Sequence, residues 1–173
     1  MAAEYHTIDL DRLRLSPGQG SRIDLTVDPG ALRYGGTDYT FEQGDVDGRL
    51  EISRTLAGFA LRLRFAGSLA GPCMRCLEPA RIEVEVDARE VDQPATGDPE
   101  LRSPYVADGV LDLSAWAHDA LALALPPRIL CRAECAGLCP VCGESLNDAA
   151  SGAHDHPAEP DPRWAKLREL QSD

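Results

Sequence analysis

Apolar and polar residues alternate most cleanly in two stretches of the chain. Over 59–65, Phe59, Leu61, Leu63 and Phe65 alternate with Ala60, Arg62 and Arg64. Over 81–88, Ile82, Val84 and Val86 alternate with Arg81, Glu83, Glu85 and Asp87. Successive strand side chains point to opposite faces, so period two predicts half-buried strands with one wet face. Residues 48–56 read as a weaker third strand. Arg22–Val27 reads as a short one, ended by Asp28-Pro29-Gly30. Residues 4–15 alternate around Ile8, Leu10, Leu13 and Leu15 until Ser16-Pro17-Gly18-Gln19-Gly20 breaks the pattern. Gly58 permits a tight turn between 48–56 and 59–65, and Gly67 suggests a bulge. Short connections between neighbouring strands predict an antiparallel meander or partial barrel.

The period then changes. Residues 92–109 hold Pro94, Pro99 and Pro104 among acids and glycines, and read as a loop or mobile insertion. Beyond it, Leu113, Trp116, Ala117, Ala120, Leu121 and Ala124 fall on one helical face. Asp112 or Ser114 can cap this helix, and Pro126-Pro127 stops it. Asp161-Pro162 opens a second, short helix, with Asp as N-cap and Pro at the first helical position. No internal repeat is evident. The expected architecture is a single α+β domain over 1–173: mostly β over 1–91, an acidic loop over 92–110, the main helix over 111–126, a Cys/His metal segment over 128–156 and a C-terminal helix over 161–171.

Composition narrows the class. With 173 residues, 43% apolar and 27% charged, the chain can bury a core and is neither fibrous nor wholly disordered. A net charge of −12 argues against phosphate binding over the whole surface. No apolar run approaches the ~18 residues of a membrane span. Met1 to Arg14 lacks the apolar core of a secretory leader. A cytoplasmic protein with no membrane partner is expected. Six cysteines in that compartment point to metal or redox chemistry before disulfides.

Those cysteines come in pairs: Cys73 and Cys76, Cys131 and Cys135, Cys139 and Cys142. His154 and His156 make a fourth pair. A tetrahedral zinc takes four N or S ligands, and a close pair supplies two of them at little entropic cost. Four pairs suffice for two ions. Cys139-Pro140-Val141-Cys142-Gly143 resembles a zinc knuckle, with the glycine allowing a sharp turn. Only three residues separate Cys135 from Cys139, too few to fold back onto one ion. The spacing therefore pairs Cys73/Cys76 with Cys131/Cys135, and Cys139/Cys142 with His154/His156. The competing readings are a C-x-x-C dithiol switch, which needs a low-pKa thiol, and, for the histidines, two solvated side chains in a polar tail.

The remaining residues say less. His118 lies one place off the apolar helical face and reads as solvated, and Trp116 as core. No phosphate-cradling loop, G-x-S-x-G or paired-carboxylate motif is present. Charge is uneven: residues 49–75 set five arginines against Glu51, whereas 83–112 set nine acids against Arg89 and Arg102. Arg62 and Arg64 share a wet strand face, and Arg75 sits inside the first Cys pair. They read either as solvated side chains or as a local contact for RNA or an acidic partner.

Cys73-Met74-Arg75-Cys76-Leu77-Glu78 resembles the C-x-R-C-L element of the YceD family. Leu121 to Pro126, followed by Cys131, Cys135, Gly137-Leu138-Cys139-Pro140, Cys142-Gly143 and Leu146-Asn147, resembles its second element. Asp161-Pro162-Arg163-Trp164 looks like its C-terminus. The resemblance spans about 73–170. Many members carry C-x-C where this chain has His154-Asp155-His156, a departure that keeps metal-binding capacity. The resemblance implies a non-enzymatic ribosome-biogenesis factor supporting 23S rRNA processing or accumulation. Its expected partners are pre-rRNA or a ribosomal or rRNA-processing protein, with one or two zinc ions and no small-molecule substrate. The alternatives are a thiol-redox protein and a metal-dependent enzyme such as a nuclease.

Overall fold

A computed structural model describes residues 3–4, 6–147, 154 and 156. The chain divides into two compact units, residues 1–133 and 134–173. The first is a mostly antiparallel β structure with one main helix.

Its centre is a run of three consecutive strands, β6 (Val46–Arg54), β7 (Phe59–Pro72) and β8 (Pro79–Asp92). The β6–β7 ladder runs from Gly48 opposite Phe65 to Arg54 opposite Phe59. The β7–β8 ladder runs from Phe59 opposite Asp92 to Pro72 opposite Pro79. Strand β3 (Gly20–Val27) pairs with the far edge of β6. A hairpin of β4 (Leu32–Tyr34) and β5 (Thr37–Phe41) joins the far half of β7, Thr40 opposite Ala70. Strand β1 (Ala3–Glu4) adds a parallel pairing to β3. A separate three-stranded sheet holds β2 (Thr7–Asp9), β10 (Val110–Asp112) and β9 (Val106–Ala107). Helix α1 (Leu113–Ala124) follows directly.

The alternation explains the layering. Leu50 stands opposite Leu63, Ile52 opposite Leu61 and Phe65 opposite Val86, and all six are buried. The helix adds Leu113, Trp116, Ala117, Ala120 and Leu121 to the core. Each large apolar side chain so buried contributes about 1.5–3 kcal/mol. Asp112 is the cap, its carboxylate accepting from Ala115 N–H at 2.9 Å. Ser114 does not fill that role.

Several expectations need correction. Gly67 is not a bulge: it pairs with Val84 in unbroken register. Its missing side chain makes room for Phe41, whose ring would lie 3.0 Å from a Cβ there. The segment 92–109 is an anchored loop carrying β9. Buried Asp92 ties it down by accepting from Arg102 Nε at 2.9 Å and Ser103 N–H at 3.2 Å. Ala124 is exposed, so the apolar helical stripe ends a turn early. His118 is half-buried, its Nδ1 2.8 Å from the Pro29 carbonyl. The helix expected over 161–171 lies outside the described residues.

Candidate metal centres

Two turns of different sequence share one backbone design. In Cys73-Met74-Arg75-Cys76-Leu77-Glu78, Cys73 N–H donates to Glu78 O at 2.7 Å and Leu77 N–H to Cys73 O at 3.0 Å. Arg75 N–H points at Cys73 Sγ at 3.4 Å. In Cys139-Pro140-Val141-Cys142-Gly143-Glu144, Cys139 N–H donates to Glu144 O at 2.8 Å and Gly143 N–H to Cys139 O at 2.9 Å. Val141 N–H points at Cys139 Sγ, again at 3.4 Å. The fifth residue of each turn is left-handed, Leu77 at φ 65° and Gly143 at φ 78°. The two turns are a six-residue local repeat. It went unseen because its clearest sequence mark, the glycine, is a leucine in the first copy; the shared glutamate after it was the available signal.

Each turn belongs to a cluster of four ligand atoms. Those of Cys73, Cys76, Cys131 and Cys135 lie within 4.8 Å of one another, as do those of Cys139, Cys142, His154 and His156. These are the groupings the loop lengths predict. None of the six cysteines is joined in a disulfide. Cys76 and Cys131 place their sulfurs 3.5 Å apart, well beyond the ~2.05 Å of a disulfide. In the second cluster Cys142 Sγ is 3.2 Å from His154 Nε2, which is 3.1 Å from His156 Nε2. Ligands around a tetrahedral zinc, with sulfur at about 2.3 Å and nitrogen at about 2.0 Å, stand roughly 3.3–3.8 Å apart. Both groups come close to that spacing, and either could hold a metal ion.

The electrostatics favour bound thiolate. Burial pushes the Cys73 thiol up, but N–H groups of Arg75, Cys131 and Cys76 outweigh it and bring the pKa to about 6. The Cys142 N–H, against burial, and then Val141 N–H and His154 bring Cys139 to about 6 as well. Glu144 N–H lowers Cys142, yet burial and the neighbouring Cys139 thiolate leave it raised. Glu144 also places a carboxylate oxygen 3.5 Å from His154 Nδ1. A carboxylate on one imidazole nitrogen holds the ring so that the other can face a metal. Sequence reasoning missed this orienting role.

The candidate contact residues are placed differently. Arg62 forks onto Asp87 at 2.7 and 2.6 Å. Arg64 donates to Glu51 at 2.9 Å, and Arg22 reaches the same carboxylate at 3.1 Å. Arg62 and Arg64 are half-buried members of a cross-strand ion-pair network. Hydrogen bonding from Arg62 lowers the Asp87 pKa. Arg75 is exposed on the first turn.

The profile of the family described as large ribosomal RNA subunit accumulation protein YceD matches residues 61–171. The chain belongs to the YceD family. The matched span takes in both clusters. Similar relatives include uncharacterized proteins of Mycobacterium tuberculosis strain H37Rv and Mycobacterium bovis. Each is 36% identical over 172 residues, covering 95% of this chain and 80% of the relative. An uncharacterized protein of Mycobacterium leprae is 32% identical over 121 residues, covering 61% of this chain and 51% of its own length. No solved structure matches. The YceD family name links the chain to accumulation of the large ribosomal RNA and names no enzymatic activity. No helix among the described residues is long and apolar enough to cross a membrane.

Proposed function

We propose that this YceD family member is a non-enzymatic, cytoplasmic ribosome-biogenesis factor that supports 23S rRNA processing or accumulation through pre-rRNA or a protein that handles it. Two zinc ions hold its contact surface in shape. Cys73, Cys76, Cys131 and Cys135 take one ion, and Cys139, Cys142, His154 and His156 take the other. The observation that carries this reading is that each cluster offers four protein ligands. A four-ligand tetrahedral site has no open position for a reacting water, which favours a structural over a catalytic ion. Arg75 supplies the foremost contact. Arg62 and Arg64 join it when a partner's acidic groups replace Asp87 and Glu51.

The test is recovery of RNA with the tagged, zinc-loaded full chain from its own cells. Arg75→Ser combined with Arg62→Ser and Arg64→Ser should lower recovered 23S precursor several-fold. The melting temperature should fall only modestly, because ion pairs still partly open to solvent contribute little. Full recovery by the triple variant would contradict the contact assignment.

One observation favours a second reading. Cys73 and Cys139 ionise near 6, as a thiol-redox protein would require. That reading expects rapid alkylation of native protein and insensitivity to chelators. The zinc reading expects protected thiols and unfolding by chelators.

A further inference from the structure

Strand β8 is an open edge. It pairs with β7 alone, and none of its other backbone groups between Ala80 and Val91 bonds to another element among the described residues. The Val91 N–H takes the carboxylate of adjacent Glu90 at 3.3 Å, which marks it as facing away from β7. By antiparallel alternation the backbone groups of Arg89, Asp87 and Glu85 face the same way. Beside this run lies a cleft of about 400 Å³ between the edge and the last turns of α1. Its apolar wall includes Tyr105 stacked on Trp116, ring centroids 6.4 Å apart, and Leu123. Leu123 is 88% exposed.

Acids outnumber bases around the cleft, whose lining holds Glu85, Asp87 and Glu90 against Arg89. Glu83, Glu85 and Glu90 make no ion pair among the described residues, and Asp119 bonds only the Tyr105 hydroxyl at 3.0 Å. Charges on an edge strand also discourage unwanted pairing. That explanation covers the glutamates but not the cleft or the bare leucine next to them.

We propose that the β8 edge and its cleft dock an extended, basic segment of a partner protein. Its backbone hydrogen-bonds to Glu85, Asp87 and Arg89. On one face of the sheet its Arg or Lys side chains meet Glu83 and Glu85, and on the other an apolar side chain rests against Tyr105, Trp116 and Leu123, beside Glu90. A phosphate backbone would be repelled by the same acids. Its residues belong to neither cysteine cluster and do not include Arg75, so the proposal does not depend on the zinc reading.

The test uses the full, zinc-loaded chain and a labelled peptide of about ten residues alternating arginine and valine around a central leucine. Anisotropy should report binding that weakens with salt. Leu123→Asp should weaken it about tenfold. That change adds negative charge, so loose attraction to an acidic protein would instead be strengthened by it. Glu85→Lys with Glu90→Lys should weaken binding as much. Bound peptide should also slow hydrogen exchange at the Glu85, Asp87 and Arg89 amides. Unchanged binding by Leu123→Asp, protection elsewhere on the chain, or equal binding of an oligouridine to these amides would each overturn the proposal.

Discussion

Leu77 occupies a conformation that costs an L-residue with a β-carbon roughly 1–2 kcal/mol. Its counterpart Gly143 adopts the same region freely. Leu77 recovers little of that cost by burial, since it is 64% exposed. Leu77→Gly should therefore stabilise the zinc-loaded protein, by about 0.5–1 kcal/mol once glycine's greater unfolded-state entropy is subtracted. Urea unfolding checks the sign, and a loss of stability would mean the side chain is held by contacts made in the turn. The same residue shows why the site was half legible. Cysteine and histidine spacing is written in the chain, and so was the grouping of the residues that could hold a metal. A left-handed leucine is not, and Glu144 carries no mark of its bond to His154 until the turn places them 3.5 Å apart.

At the scale of elements, the legible parts are those whose side chains alternate between core and water. Residues 59–65 and 81–88 were readable because their alternating apolar members share one face, all buried except half-buried Ile82. The extension of β7 to Pro72 was hidden, because Gly67, Ala70 and Gly71 give no alternation. Their smallness is a packing requirement: the far half of β7 pairs with the β4–β5 hairpin, and Gly71 lies against the ring of Tyr39. Tyr39 is fully buried and donates to Pro72 O at 2.8 Å. A Cβ on Gly71 would overlap that ring. Gly71→Ala should cost about 1–3 kcal/mol, as overpacking does. Gly97→Ala, with open space around it but φ 72°, should cost less, by only its backbone strain. Chemical denaturation of both variants tests the ranking. The small β2–β10–β9 sheet escaped prediction for another reason: its β2–β10 pairs join residues about a hundred positions apart, such as Ile8 with Leu111.

For the whole molecule, the two proposed ions differ in reach, and only one is held by residues from distant parts of the chain. The first cluster joins the β7–β8 turn to the chain beyond α1, across 55 residues between Cys76 and Cys131. Such a closure ties metal binding to folding, with structural zinc worth on the order of 10 kcal/mol in small zinc peptides. The second cluster is drawn from a short span, so losing His154 should cost less stability than losing Cys76. The most direct measurement is elemental analysis of the native full chain purified without chelator, paired with titration of its thiols. The account predicts two zinc ions per chain and unreactive cysteines, and about one ion with a lowered melting temperature in Cys76→Ser. Less than about half an equivalent of zinc, with all six thiols freely titratable in the native state, would contradict it.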